Sequence, residues 1–250
     1  MNSGYRALAF AALLAAGPVH AAPPLELMVE NAAAPWSGSD GTGYANDVVT
    51  AAYAAIGVDI KLILVPYARC KAYVMTGLVA GCFNMSPAPE QAGKVKLADV
   101  PLFRVWPRYY ENPKHPVHAR SEAQVRPGTR VGIVNGYEYP DSLHVMEARG
   151  VILDRANTEA GNLKKLEAGR IDLAIIMVDQ IKTGERMLHD AQVGHLAVAF
   201  EAHPMGSYIG FSQTHPNGEH ARELFNRGYR IISANGKKKE IMRRWNIGRE

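Results

Sequence analysis

Along the chain, apolar positions recur with two alternating periods. Residues 25–29 (Leu-Glu-Leu-Met-Val) alternate apolar and polar, which predicts a strand. Val48, Val49, Ala52, Tyr53 and Ile56 recur at helical spacing, and Gly57 stands where that helix would stop. Residues 61–65 form a second apolar run. Pro66 follows at a helix-start position, residues 67–76 read as the helix, and Gly77 closes it. Residues 79–85 give a third strand. A β-α-β-α-β order calls for a parallel sheet with helices on its faces.

A polar stretch, residues 111–127, carries Pro113, Pro116 and Pro127 and suits a crossover between lobes. A second α/β run follows it. Residues 130–134 read as a strand, Gly136-Tyr137 as a turn, and 142–148 and 159–168 as helices, the latter ended by Gly169. Residues 171–178 are very apolar, as expected of a strand buried on both faces. Residues 207–212 give another strand, and two helices, near 218–234 and 237–245, close the chain.

The first residues have a different pattern. Arg6 precedes an unbroken apolar run, residues 7–16, which Gly17-Pro18 breaks before Val19-His20-Ala21. This reads as a signal peptide, residues 1–21, cleaved near Ala21. The run is about half the roughly 20 residues needed to span a bilayer. The mature chain is then expected outside the cytoplasm, in the periplasm. Losing Arg6 lowers the formal net charge from +4 to +3. Lys237-Lys238-Lys239 with Arg243 and Arg244 is the densest basic run; it reads as a solvated helix face, and nucleic acid is set aside as a partner. At 250 residues, 47% hydrophobic and 21% charged, the chain is long enough for two lobes with real cores.

The strongest catalytic signatures are missing: there is no G-x-x-x-x-G-K-[ST], no H-E-x-x-H and no G-x-S-x-G. Gly38 to Gly43 follows Pro35-Trp36 and not a strand end, so it reads as a turn leading into a helix. His115 and His118 lack a nearby acidic or Cys ligand, and neither a metal nor a cofactor is expected. Cys70 and Cys82 are either bridged, closing a loop worth about 3 kcal/mol in the chain-entropy model, or separately buried as small apolar groups.

Several stretches occur in an order that resembles the bacterial extracellular solute-binding proteins of family 3, the periplasmic polar amino-acid-binding type. They are Glu30-Asn31 through Pro35-Trp36, Asp40-Gly41-Thr42-Gly43-Tyr44, Pro66-Tyr67-Ala68-Arg69, Val131 through Tyr139, and Leu163 through Asp172. The resemblance implies an α/β fold of periplasmic binding protein type II. Its two lobes are each a mostly parallel sheet flanked by helices, joined by two hinge crossings. Lobe 1 would hold about 22–111 plus 205–250, and lobe 2 about 112–204. It also implies a monomer that captures a small polar solute, amino-acid-like or cationic, for the inner-membrane permease of an ABC transporter. No enzyme activity is expected. The alternatives are a dehydratase-like enzyme on the same scaffold and an orphan sensor or binding module.

Candidate ligand contacts follow. Trp36 in its polar loop is an aromatic wall or a packing residue. Arg69, in the first turn after Pro66, grips a carboxylate or pairs on the surface. Asn84, Ser86 and Gln91 end the third strand and start the next loop. By the resemblance, Gln91 stands where the amino-acid binders carry the arginine that clamps the ligand's carboxylate. A neutral amide weakens that anchor. Tyr137 and Tyr139 open the second lobe, as ligand contacts or interlobe packing. Asp179 ends the apolar strand where the resemblance places the partner of a ligand's ammonium, and N-capping competes for it.

Overall fold

A computed structural model describes residues 23–248. The expected signal peptide, residues 1–21, lies outside the described residues. Ten strands and seven α-helices follow one another: β1 (Leu25–Glu30), α1 (Tyr44–Ala54), β2 (Ile60–Val65), α2 (Tyr67–Thr76), β3 (Gly81–Met85), β4 (Val95–Leu97), β5 (Phe103–Glu111), β6 (Arg130–Val134), α3 (Ser142–Ala148), β7 (Ile152–Ala156), α4 (Glu159–Glu167), β8 (Leu173–Val178), α5 (Gly184–Ala191), β9 (Ala197–Glu201), β10 (Met205–Ser212), α6 (Gly218–Ala234) and α7 (Lys237–Arg244).

The strands pair in the order β2-β1-β3-β10-β5-β8-β6-β7, with β4 on β10 and β9 on β5. In the first half β1 pairs parallel with β2 and β3; in the second, β6 pairs parallel with β7 and β8. Antiparallel strands β10, β4, β5 and β9 flank these parallel cores. The halves meet where Phe103–Val105 of β5 pairs with Met205–Ser207 of β10. Beyond Val105 the same strand changes partner: Trp106 to Glu111 pair with β8. The proline-rich stretch after residue 111 therefore links β5 to β6 within the second half, and the chain crosses earlier, inside β5 itself.

Burial follows the sequence pattern. The first lobe packs Leu27 and Val29 of β1 against Val48 and Tyr53 of α1, Phe83, Phe211 and Phe225. In β8 every residue is buried, and the pleat sends alternate side chains to opposite faces. Leu173 and Ile175 join a core with Tyr109 and Ile133, while Ala174, Ile176 and Val178 join one with Leu163, Leu166 and Met187. Helix ends follow local chemistry too. Gly77 closes α2 in the left-handed region at φ 78°, and the Thr158 and Thr183 hydroxyls accept from Gly161 N and Arg186 N at the starts of α4 and α5. Among the described residues no helix is long and apolar enough to cross a membrane.

Candidate functional site

In open parallel sheets the loops beyond the carboxyl ends of the strands face the ligand crevice. Here β1 ends on Glu30, β3 on Met85 after Asn84, β6 leads to Tyr137 and Glu138, and β8 leads to Asp179. Their side chains meet between the two halves. A cavity there is lined by Glu30, Trp36, Asn84, Ser86 and Ser207, by Phe103, Val105 and Met177, and by Tyr137 and Glu138. Water-sized molecules can centre in about 30 Å³ of it, room for about two waters.

Trp36 forms the aromatic wall. It is 3% exposed and stacks on Phe103 with ring centroids 4.6 Å apart. Its loop is pinned by Gly43, because a Cβ there would sit 2.2 Å from the Trp36 carbonyl oxygen. The Trp36 indole N–H donates to Asp179 Oδ2 at 2.6 Å, so a loop of the first lobe is tied to one of the second. Asp179 Oδ1 accepts from Ile181 N at 2.9 Å and Lys182 N at 2.7 Å, which builds the turn before α5. The helix itself is capped by Thr183. Both Asp179 oxygens are thus engaged within the protein.

Behind Trp36 lies a buried ion pair. Lys182 is 1% exposed; its ammonium sits 4.3 Å above the Trp36 ring centroid and bonds Glu159 Oε2. Glu159 Oε1 accepts from Met177 N at 2.6 Å.

A second network surrounds Glu138. It accepts from the Tyr67 hydroxyl at 2.6 Å, from Ser86 N at 3.2 Å and from Gln91 Nε2 at 3.2 Å, and pairs with Lys71 at 3.0 Å. Lys71 also reaches Glu90 and the Gly136 carbonyl. The two lobes touch closely here: Gly136 has φ 83°, and a Cβ on it would lie 2.9 Å from Ala68 Cα of α2. Burial raises the Glu138 pKa and Lys71 opposes that, while Glu138 and Glu90 outweigh burial at Lys71 and raise its pKa. Gln91 spends its amide on Ser86 O at 2.8 Å and on Glu138. It braces the loop after β3 and does not line the cavity.

Glu30 stands apart. It is 4% exposed and accepts from the Tyr137 hydroxyl at 2.6 Å, another lobe-to-lobe bond. No lysine or arginine forms an ion pair with it among the described residues. Burial is the main cause lifting its pKa from 4.5 to about 7, against the Tyr137 bond and the more distant Lys182. Next to it, the Asn84 amide O and N and the Ser207 Oγ are buried without a hydrogen-bond partner.

Of the sequence candidates, the structure therefore brings Trp36, Asn84, Ser86 and Tyr137 to the cavity. Asp179 stands one bond behind it. Tyr139 stands off the cavity and braces its loop, its hydroxyl accepting from Val134 N at 2.8 Å. Arg69 is exposed and outside the cavity. The phase of α2 explains this: Tyr67, Cys70, Lys71 and Val74 share one face at i, i+3, i+4 and i+7, and Arg69 points away from it. Cys70 and Cys82 are bonded, Cα to Cα 5.6 Å, tying α2 to β3 beside the site. Sequence reasoning did not single out Glu30, Tyr67, Lys71, Phe103, Glu159 or Lys182. For Glu30 a signal existed, since it is a carboxylate ending a strand, as Asp179 follows one.

No family model and no characterised protein sequence matches the chain. Solved structures do. A histidine kinase sensor domain with similarity to periplasmic binding proteins is 16% identical over 89% of this chain and 95% of its own, at a TM-score of 0.76. An ancestral arginine-binding protein bound to arginine is 15% identical over 88% and 97%, at 0.72. The arginine-, lysine-, histidine-binding protein ArtJ from Geobacillus stearothermophilus is 16% identical over 89% and 95%, also at 0.72. The chain has the two-lobed fold of the periplasmic amino-acid-binding proteins, the family its sequence resembles.

Proposed function

We propose that this protein captures a small polar solute, amino-acid-like or cationic, between its lobes. One observation carries the reading. Strand ends from both lobes converge on a cavity where Asn84 and Ser207 hold buried polar atoms that no protein group satisfies. Such atoms are rare in folded proteins and call for a partner from outside the chain. The space suffices for about two waters, so a larger solute enters by parting the lobes. The hinge is the short β5–β10 pairing, Phe103–Val105 against Met205–Ser207, with residues up to about 102 and beyond about 208 moving as one lobe. The solute closes them again because its contacts to both sides exist only in the closed form.

The likeness to binding proteins supports a carrier that works as a monomer in the periplasm after loss of residues 1–21. It would hand its solute to the permease of an ABC transporter. Calorimetric titration with amino acids, amines and polyamines tests solute capture. One saturable site, with a concentration-dependent rise in Tm, is the expected result. Silence across the panel refutes it. A second reading, chemistry on the same scaffold, is favoured by Glu30 alone, because a carboxyl titrating near 7 suits proton transfer. Mass change of a bound compound on incubation would establish that reading instead.

A further inference from the structure

The lining of the cavity is one-sided in charge. Two carboxylates, Glu30 and Glu138, reach it, and among the described residues no lysine, arginine or histidine does. Glu138 is matched by Lys71, whose ammonium also holds Glu90 and the Gly136 carbonyl and so has no donor to spare. Lys182 is committed to Glu159 and the face of Trp36. Gln91, in the place of the expected arginine, gives its amide to Ser86 and Glu138. Arg69 is on the surface. No lysine or arginine among the described residues is left at the cavity to neutralise a carboxylate. Glu30 is the opposite case: a buried carboxyl with a tyrosine donor and no ion-pair partner, walled by Trp36 and Phe103. Aromatic faces and a lone buried carboxylate both attract positive charge, more strongly when water is excluded.

From this we infer that the solute is a small organic cation without a carboxylate, its ammonium or guanidinium held by Glu30 and its polar remainder by Asn84 and Ser207. Ser207 is 3% exposed and its hydroxyl, unpartnered within the protein, borders the same space. The inference rests on the solute-binding reading and narrows it. A cation would neutralise Glu30 without a proton, so binding weakens as pH falls below about 7. The other titratable groups facing Glu30 are Tyr67, Tyr137, Tyr139, Glu138, Glu159 and Lys182.

Matched pairs separate the possibilities. The purified chain is titrated with glycine and methylamine, serine and ethanolamine, ornithine and putrescine, and arginine and agmatine. At least one amine is expected to bind, with its parent amino acid at least tenfold weaker. An amino acid binding as well as its amine overturns the inference and leaves solute capture standing. No heat from any compound overturns both. Glu30→Gln, checked for native folding by circular dichroism, is expected to lose at least tenfold in affinity for the amine. Affinity within twofold of wild type shows that Glu30 is not the anchor.

Discussion

Glu30→Gln also makes a prediction that needs no ligand. In the unfolded chain this carboxyl titrates near its ordinary value of 4.5, whereas in the folded chain it holds its proton until about pH 7. Between those values the folded state binds more protons than the unfolded one, so this group's contribution to stability falls as pH rises. It is fully present below 4.5 and gone above 7. At about 1.4 kcal/mol per pH unit, the loss across the window is about 3 kcal/mol. Gln keeps the shape and an oxygen for the Tyr137 hydroxyl and carries no charge to bury. Wild type and variant are therefore expected to be equally stable at pH 4.5, with the variant gaining up to about 3 kcal/mol by pH 8. At about 2–4 °C per kcal/mol for a chain of this size, Tm at pH 8 rises by roughly 6–12 °C.

Urea denaturation at pH 4.5, 6, 7 and 8, followed by tryptophan fluorescence, measures the difference directly. Comparing the two proteins cancels the carboxyls whose pKa values are lowered, such as Asp154 and Glu219, since these titrate alike in both. An offset that stays constant with pH, or a variant less stable at pH 8, refutes the claim that Glu30 is buried without a compensating cation.

Three further outcomes follow from the contacts around the cleft. Asp179→Asn removes one of two acceptor oxygens and turns an amide toward the Trp36 N–H, so stability should fall by about 1–3 kcal/mol. Small-angle scattering should show a larger radius of gyration, and no change in either sinks the latch. Lys182→Met strands Glu159 as an unpaired buried charge and is expected to cost about 3–5 kcal/mol in urea denaturation. Adding Glu159→Gln should recover most of that loss, and simple additivity would contradict the pairing. Replacing both Cys70 and Cys82 with alanine opens a loop of sequence separation 12. This should cost about 3 kcal/mol, read as a Tm fall that a reducing agent reproduces in the wild type and not in the variant.

Much of this architecture could be read from sequence because period and punctuation agreed. The first five elements were marked by alternation, by helical spacing, by Pro66 and by Gly77. β5 was missed because its pattern contradicts itself: Pro107 argues against an interior strand, while Phe103, Val105 and Tyr109 alternate with Arg104 and Arg108. β7 and β9 are short and half exposed, and α5 is mostly polar, with only Gly184, Met187 and Ala191 buried. At the cavity, Trp36, Asn84, Ser86 and Tyr137 could be reached from sequence because strand ends and the loops after them face the crevice between the lobes. Lys71 and Lys182 were not, since their roles depend on Glu138 and Glu159 approaching from other elements. Arg69 illustrates the converse error, in which residue type outweighed helical phase.

The charges around the cleft carry a consequence for how binding, protonation and closure relate. Lys71 and Lys182 answer Glu138 and Glu159, and hydrogen-bond donors from both lobes saturate Asp179. Glu30 remains one positive charge short, at a point where Tyr137 bridges the lobes. Below pH 7 a proton supplies that charge; above it, the inferred cationic solute would supply it. On that inference the two would compete for the same carboxylate, so a cation held by Glu30 in the closed form would displace a proton, and its binding is expected to weaken as pH falls below about 7. Closure then has a direct electrostatic cause. With the lobes apart, water would solvate ionised Glu30; bringing Tyr137 and Trp36 over it removes that water at a cost that a bound cation would offset. A neutral solute of the same size would leave that penalty in place, so closure on it is expected to be weaker at pH 8 than in acid.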